Sequence, residues 1–255
     1  MKRLTLLILM LTLTLTACGS SESSDSEFFS KERAIESSSK AESSATEQES
    51  SSDTEQKRWE GFDEFYSSLD PESRSAKNYA HNDELWKNSG IQGQLIEAGQ
   101  DTEPQNELYL GNYKFGYNGC EIIASYNMLT LKGEQVDMAK LITEFERNAL
   151  TAQDGSLGSD PRKINLLLDA HGYEYETLGS PADCDKALSD GKALIFAFYT
   201  GTPYFSGIHT VCITGGEDKF VLNRYNNIDA RSKIDSVSEL LKEEKCLIVA
   251  YALNA

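Results

Sequence analysis

Histidine is scarce in this chain, and the spacings typical of metal sites are missing. Its 255 residues include three histidines, His81, His171 and His209, which lie far apart in the sequence. No Cys-x-x-Cys, His-x-x-x-His or Asp-x-Asp-x-Asp pattern occurs, although such patterns are typical of zinc and calcium sites. The sequence therefore predicts neither a metal site nor a cofactor.

Basic residues are also in short supply. The chain has 24 Lys and Arg against 41 Asp and Glu, a formal net charge of −17. Nucleic-acid binding requires clustered Lys and Arg, so this balance argues against a nucleic-acid partner. The glycine-containing segment 154–158 lacks the lysine of a phosphate-binding loop.

The first eighteen residues have the pattern of a secretory signal. Lys2 and Arg3 precede an apolar run from Leu4 to Leu15, which is shorter than the ~20 residues needed to span a bilayer. The run ends in Leu-Thr-Ala-Cys18, which resembles the lipobox of bacterial lipoprotein precursors. The resemblance implies a diacylglyceryl group on Cys18 and anchoring on the extracytoplasmic face of the cell membrane. An ordinary signal peptide and a transmembrane anchor are the alternatives.

The composition divides the rest of the chain into three segments. Residues 19–57 are rich in serine and glutamate, with ten acidic and four basic residues, and predict an extended, disordered tether. Residues 58–107 predict one short amphipathic helix before Pro71, followed by loops with at most one helical turn. Residues 108–255 predict a folded domain with helices first and strands afterwards, which is the pattern of an α+β fold.

Turn, cap and periodicity signals give the expected elements of that domain. Helices are predicted to begin at Cys120, after Asp137, at Asp160-Pro161 and at Ser180-Pro181, with a small helix at 237–241. Runs of branched and aromatic residues predict four strands, at 193–199, 208–214, 220–225 and 246–253.

Cys120 and His209 are the residues with the clearest chemical potential. A cysteine in the first turn of a helix faces unpaired amides and the positive end of the dipole, which predicts a lowered thiol pKa. His209 is the one histidine on a predicted strand, and it can serve as the base that a thiol nucleophile needs. Asn223, on the next strand, is placed to hold the imidazole in one tautomer.

These residues resemble the catalytic set of the papain-like cysteine peptidases. The match consists of Gly-Tyr-Asn-Gly-Cys120 opening a helix, Gly-x-His209-x-Val, the Gly215-Gly216 turn and a strand ending in Asn223. The compact double-glycine, bacteriocin-processing branch is the most similar. The resemblance implies a nucleophile helix packed on a C-terminal antiparallel sheet, and a thiolate that attacks an amide carbonyl while His209 protonates the leaving group. It also implies a peptide or protein substrate at the cell surface, and we expect a monomer.

Three features depart from the family pattern. Glu121 follows the cysteine where relatives have a small residue, and its carboxylate disfavours a thiolate beside it. Lys114 stands where the family has an oxyanion-hole glutamine, which leaves three candidate donors: Asn118, Asn112 or Gln105. A tight turn at Glu217-Asp218 would instead bring Asn226, rather than Asn223, opposite His209.

Other interpretations of the same residues stay open. Cys120, Cys184, Cys212 and Cys246 form an even set that would allow two disulfides in an oxidising compartment. An acyltransferase or transglutaminase-like enzyme would use the same triad and pass the acyl group to another nucleophile. A lipoprotein that binds ligands in a degenerate cleft would need no catalytic thiol.

Overall fold

The computed structural model describes Trp59 and residues 61–148, 150–151, 153–201, 207–224, 231–242 and 246–254. The predicted signal peptide with Cys18, the tether and Asn226 lie outside these residues. Within the described ranges, no helix combines the length and apolar character needed to cross a bilayer.

The α-helices of the described chain are α1 (Phe62–Ser67), α2 (Arg74–Asn88), α3 (Phe115–Asn118), α4 (Cys120–Leu131), α5 (Met138–Arg147), α6 (Ile164–Ala170), α7 (Pro181–Ser189) and α8 (Val237–Leu240). Four of these α-helices begin at a side-chain N-cap, namely α2, α5, α7 and α8. Asp137 accepts hydrogen bonds from the amides of Ala139 and Lys140, and Ser180 accepts one from the amide of Asp183.

Helix α2 corrects the expectation of loops in this part of the N-terminal segment. Ser73 caps its first turn through the amide of Ala76, and the helix continues for 15 residues. Its buried residues are Ala76, Asn82 and Trp86, so the face that packs inward is partly small and polar. Asn82 exchanges two hydrogen bonds with the main chain of Tyr109. A helix buried through such residues lacks the apolar periodicity by which helices are recognised in sequences.

The strands form two antiparallel sheets, and the mixed helical and antiparallel architecture agrees with the α+β class. A small hairpin precedes α3, and a six-stranded sheet has the order β3-β8-β4-β5-β6-β7. The strands are β1 (Tyr109–Leu110), β2 (Tyr113–Lys114), β3 (Glu176–Leu178), β4 (Lys192–Tyr199), β5 (Ile208–Ile213), β6 (Lys219–Leu222), β7 (Arg231–Ile234) and β8 (Leu247–Asn254). The four predicted strands correspond to β4, β5, β6 and β8, whereas β1, β2 and the edge strands β3 and β7 have no counterpart in the prediction. The prediction of Asn223 on a strand is wrong, because β6 ends at Leu222 and Asn223 follows it with a φ of +57°.

Alternating residues of β4 and β5 face two different hydrophobic clusters, one on each side of the large sheet. Ala197 and Cys212 belong to the cluster that contains the buried residues of α4. Phe198 and Val211 belong to the cluster that contains the buried residues of α7 and α8. The sheet is thus covered by α4 on one face and by α7 and α8 on the other.

Gly111 fixes the approach of the β1–β2 turn to the segment that follows α5. Its φ is +61°, and a Cβ at this position would lie 1.8 Å from the carbonyl oxygen of Asp154. We expect Gly111→Ala to lower the free energy of unfolding by about 2–4 kcal/mol, because left-handed strain and a main-chain clash act together. Gly133→Ala is the matched control, since Gly133 has a φ of +82° but no neighbour within 4 Å. Urea unfolding midpoints measure both changes, and equal losses in the two variants would contradict the role of the clash.

Candidate functional site

Cys120 begins α4, as the sequence predicts, and is held against the preceding helix. Gly119 joins α3 to α4, and a Cβ there would lie 2.5 Å from the ring of Phe115. The close approach of this ring therefore requires glycine immediately before the cysteine. Cys120 itself is only 5% exposed.

The thiol of Cys120 makes its hydrogen bond to the neighbouring carboxylate. Its Sγ donates to Oε2 of Glu121 at 3.1 Å, and Glu121 is 2% exposed. The other carboxylate oxygen, Oε1, accepts a hydrogen bond from Oγ1 of Thr210 at 3.3 Å. Thiol, carboxylate and hydroxyl thus form a buried chain from α4 to β5.

The expectation of a lowered pKa for Cys120 is wrong in this setting. Burial, the charge of Glu121 and the hydrogen bond to Glu121 raise the pKa of the thiol well above its ordinary value. The main-chain amides of Thr210 and Glu121 act in the opposite direction and offset only part of the increase. Position at a helix N-terminus favours a thiolate, but here desolvation and an adjacent negative charge outweigh it.

Glu121 is perturbed as well. Burial raises its pKa from 4.5 to about 7, while hydrogen bonds from Cys120 and Thr210 partly oppose the change. Between these two pH values the folded protein binds this proton more tightly than the unfolded chain does. The ionisation of Glu121 therefore reduces folding stability as the pH rises through about 7.

His209 lies on β5, beside Thr210 but on the opposite side of the strand. Its side chain is 2% exposed and packs edge-on against Phe198, with ring centroids 5.9 Å apart. Its Nε2 lies 2.9 Å from the main-chain oxygen of Asn223. A carbonyl oxygen can only accept, so Nε2 carries the proton in the neutral ring and Nδ1 keeps its lone pair.

Asn223 contacts both other members of the predicted triad, although not as the sequence suggests. The residue has a φ of +57°, and its amide donates to the carbonyl of Glu97 at 2.9 Å. Its Nδ2 lies 3.5 Å from the carbonyl oxygen of Cys120 and 3.4 Å from that of Thr210. Its Oδ1, the atom expected to hold the imidazole, accepts no hydrogen bond from the part of the chain that is described. The main-chain carbonyl makes the contact with His209 instead.

A small cavity opens beside the imidazole. Its volume is about 190 Å³, below the 300–1,000 Å³ of ordinary ligand pockets, so it has room for a single side chain. Its lining comprises Gly99, Gln100, Asp101, Gly116, Tyr117, His209, Asn223 and Arg224. The cavity therefore meets the site at His209 and Asn223.

The candidate oxyanion donors make other contacts. The side-chain amide of Asn118 donates to the carbonyl of Gly155, and that of Gln105 donates to Gly99 at 3.2 Å. Asn112 accepts a hydrogen bond from Arg74. These contacts select none of the three as an oxyanion donor.

The remaining thiols differ from Cys120 in position. Cys120, Cys184 and Cys212 are free thiols in this structure, which excludes the two-disulfide arrangement here. Burial is the largest cause of the raised pKa of both Cys184 and Cys212, and the pKa of Cys184 rises to about 12. Cys184 belongs to the core cluster on the far side of the sheet from α4. Cys184 is therefore as buried as Cys120 but lacks the contact with Glu121.

Thr210 and Ser159 are residues of this site that the sequence did not reveal. Thr210 bonds the Glu121 carboxylate, and the main-chain amide of Ser159 also lowers the pKa of that carboxylate. For Thr210 the available signal is the alternation of side chains between the two faces of β5. Thr210 lies two residues before Cys212, which packs on the α4 side, so it faces the same side. No sequence signal links Ser159 to Glu121, since a loop brings it there.

Comparison with protein-family models and with curated proteins gives no match for this chain. Among the described residues, no group of three or more His, Cys, Asp and Glu side chains is arranged to hold a metal ion.

Proposed function

We propose that this chain is a lipid-anchored, extracytoplasmic cysteine peptidase that cleaves peptide or amide bonds, with Cys120 as nucleophile and His209 as general base and acid. One observation carries the proposal. Cys120 and His209 are 89 residues apart in sequence, yet the main-chain carbonyl of Cys120 and the imidazole of His209 both contact Asn223 in a buried cluster. This convergence supports a papain-like arrangement, in which Asn223 orients the imidazole through its carbonyl.

The proposed reaction moves one proton in each direction. His209 takes the thiol proton on Nδ1 as the sulfur of Cys120 attacks the carbonyl carbon. In the resting structure the thiol bonds Glu121, and Thr210 rather than His209 reaches that carboxylate. The proposed transfer therefore requires the thiol and the imidazole to turn toward each other when the substrate binds. The C–N bond then breaks, and the imidazolium returns the proton to the leaving amine. Water attacks the thioester with His209 as base, which releases the acid and restores the thiol. The raised pKa of Cys120 means that its proton must be removed during the attack, because little thiolate exists beforehand.

Exposed apolar side chains near the site favour a peptide as the substrate. Tyr117 lines the small cavity and is 75% exposed. Tyr199 and Ile208 are directly paired across β4 and β5, one position beyond His209, and both are exposed. Contiguous apolar surface marks an interaction site, and the directly paired Tyr199 and Ile208 provide such surface next to His209. An extended peptide with apolar side chains would cover it.

His209→Ala tests the assigned base. We expect this variant to lose about 10²- to 10⁴-fold in kcat/KM on a peptide library digested by the full-length protein, because no other group accepts the thiol proton in the proposed reaction. His81→Ala is the control, since His81 lies away from the site and bonds the carbonyl of Glu107. Mass spectrometry of new peptide termini measures both variants. Undiminished cleavage by His209→Ala would remove the histidine from the mechanism.

A non-catalytic binding lipoprotein is the second candidate, and the Cys120–Glu121 hydrogen bond favours it. A thiol held protonated by a buried carboxylate suits a domain that binds peptides without cleaving them. Peptide binding without new peptide termini, equal in wild type and Cys120→Ala, would support this candidate over the peptidase.

A further inference from the structure

The first turn of α4 contains two adjacent acidic groups that share one hydrogen bond. Sγ of Cys120 lies 3.1 Å from Oε2 of Glu121, and both residues are almost completely buried. If both groups were ionised, two negative charges would lie side by side in a site with little water. The pair is therefore expected to hold one proton over a wide pH range, and its titration belongs to the pair.

The carboxylate is held in place by β5 and by the loop before α6. Thr210 donates to Oε1 from β5, and the main-chain amide of Ser159 interacts with the carboxylate from the loop before α6. Gly158 lies so close that a Cβ there would be 3.7 Å from Oε2. Glu121 thus has a fixed position against the thiol, unlike a solvent-exposed glutamate.

Other titratable groups on the surrounding elements do not make this contact. His209 and Cys212 lie on β5, and Asp154 and Asp160 flank the loop that carries Ser159. Asp154 pairs with Arg74, and Asp160 pairs with Arg162. The Cys212 thiol stays uncharged because burial raises its pKa. The negative charge in hydrogen-bond contact with the Cys120 sulfur is that of Glu121.

We propose that Glu121 is a positioning residue that keeps the Cys120 thiol protonated in the resting protein and so controls when the nucleophile forms. Its importance for catalysis rests on the proposed peptidase function, but its effect on the thiol does not. A substrate group that hydrogen bonds or displaces the carboxylate would weaken its hold on the proton. The site would then become reactive when it is occupied.

Titration of the Cys120 thiolate by its ultraviolet absorbance tests this role without any substrate. The full-length protein and Glu121→Gln are each compared with the same protein carrying Cys120→Ala, so that the difference isolates one thiol. We expect Glu121→Gln to lower the titration midpoint by at least about one pH unit, which is about a tenfold gain in thiolate at a fixed pH. Glu121→Asp keeps the charge and is expected to keep a raised midpoint.

Glu144→Gln is the burial-matched control. Glu144 is 4% exposed and bonds Arg147 and Asn148 on α5 and just after it, so the Cys120 midpoint is expected to stay unchanged. An unchanged or higher midpoint in Glu121→Gln would overturn the proposal. Such a result would leave the peptidase proposal standing. A lowered midpoint in a protein that cleaves no peptide would instead support the role of Glu121 and contradict the peptidase proposal.

A second measurement covers the case in which Glu121→Gln does not fold. The site-assigned carboxyl ¹³C shift of Glu121 is expected to titrate near pH 7, and its midpoint should rise in Cys120→Ala because the thiol donor is lost. A Glu121 midpoint that does not respond to Cys120→Ala would contradict the shared hydrogen bond and the proposal with it.

Discussion

Cys120→Ala is expected to abolish peptide cleavage by the full-length protein, with a loss on the order of 10⁴-fold or more in kcat. The thiol is the proposed nucleophile, and no hydroxyl or second thiol takes its place in the proposed reaction. Cys120→Ser should lose nearly as much, because a serine hydroxyl is a weaker nucleophile with a higher pKa. New peptide termini, counted by mass spectrometry over a time course, measure the residual rate.

Cys184→Ala is the matched control for this loss. Cys184 is as buried as Cys120 but lies on α7, beneath the other face of the sheet. We expect wild-type cleavage from this variant, with at most a small decrease in the unfolding midpoint from the lost sulfur. Cleavage that survives in Cys120→Ala while folding is intact would exclude the thiol mechanism.

Loss of the Asn223 side chain is expected to have little effect on activity, whereas a change in its backbone conformation is expected to have a large one. Its carbonyl bonds the imidazole, and its backbone is left-handed with a φ of +57°. Asn223→Gly preserves both features, so we expect kcat/KM within about tenfold of wild type. Asn223→Val places a β-branched residue in a conformation that costs about 1–2 kcal/mol or more. We expect at least about a 100-fold loss from it, because the carbonyl moves away from His209.

The comparison between these two variants is decisive for the role of Asn223. Equal and large losses in Asn223→Gly and Asn223→Val would indicate that the side-chain amide orients His209. The thermal unfolding midpoint of each variant separates a displaced carbonyl from a protein that does not fold. The pH dependence of kcat/KM is expected to differ from wild type in Asn223→Val and to stay unchanged in Asn223→Gly, because only the valine variant moves the carbonyl that bonds the imidazole.

Local signals in the sequence were sufficient to predict much of the second half of the fold. Caps such as Asp137 and Ser180 fix helix starts because their side chains satisfy first-turn amides. Strand β4 is apolar and buried from Ala193 to Phe198 because both faces of the sheet are covered. The edge strand β3 is mostly exposed and has no comparable run, so its pairing with β8 is a tertiary effect.

The sequence predicts the elements that carry Cys120 and His209, and the structure has a helix starting at Cys120 and a strand containing His209, but the contacts of the candidate site could not be predicted. Cys120 was found from a turn followed by helical periodicity, and His209 from a strand. The state of the thiol depends on burial and on the rotamer of Glu121, and neither can be read from sequence. The main-chain contact of Asn223 depends on a left-handed residue after β6, which asparagine permits but does not dictate.

The nucleophile proposal is tested most directly by the intact mass of the full-length protein after reaction with a peptidyl vinyl sulfone that carries apolar side chains. We predict a single adduct that maps to Cys120, is absent from Cys120→Ala and forms more slowly in His209→Ala. An adduct on Cys246 instead, or the absence of any adduct while the protein binds the peptide portion, would contradict a nucleophilic Cys120.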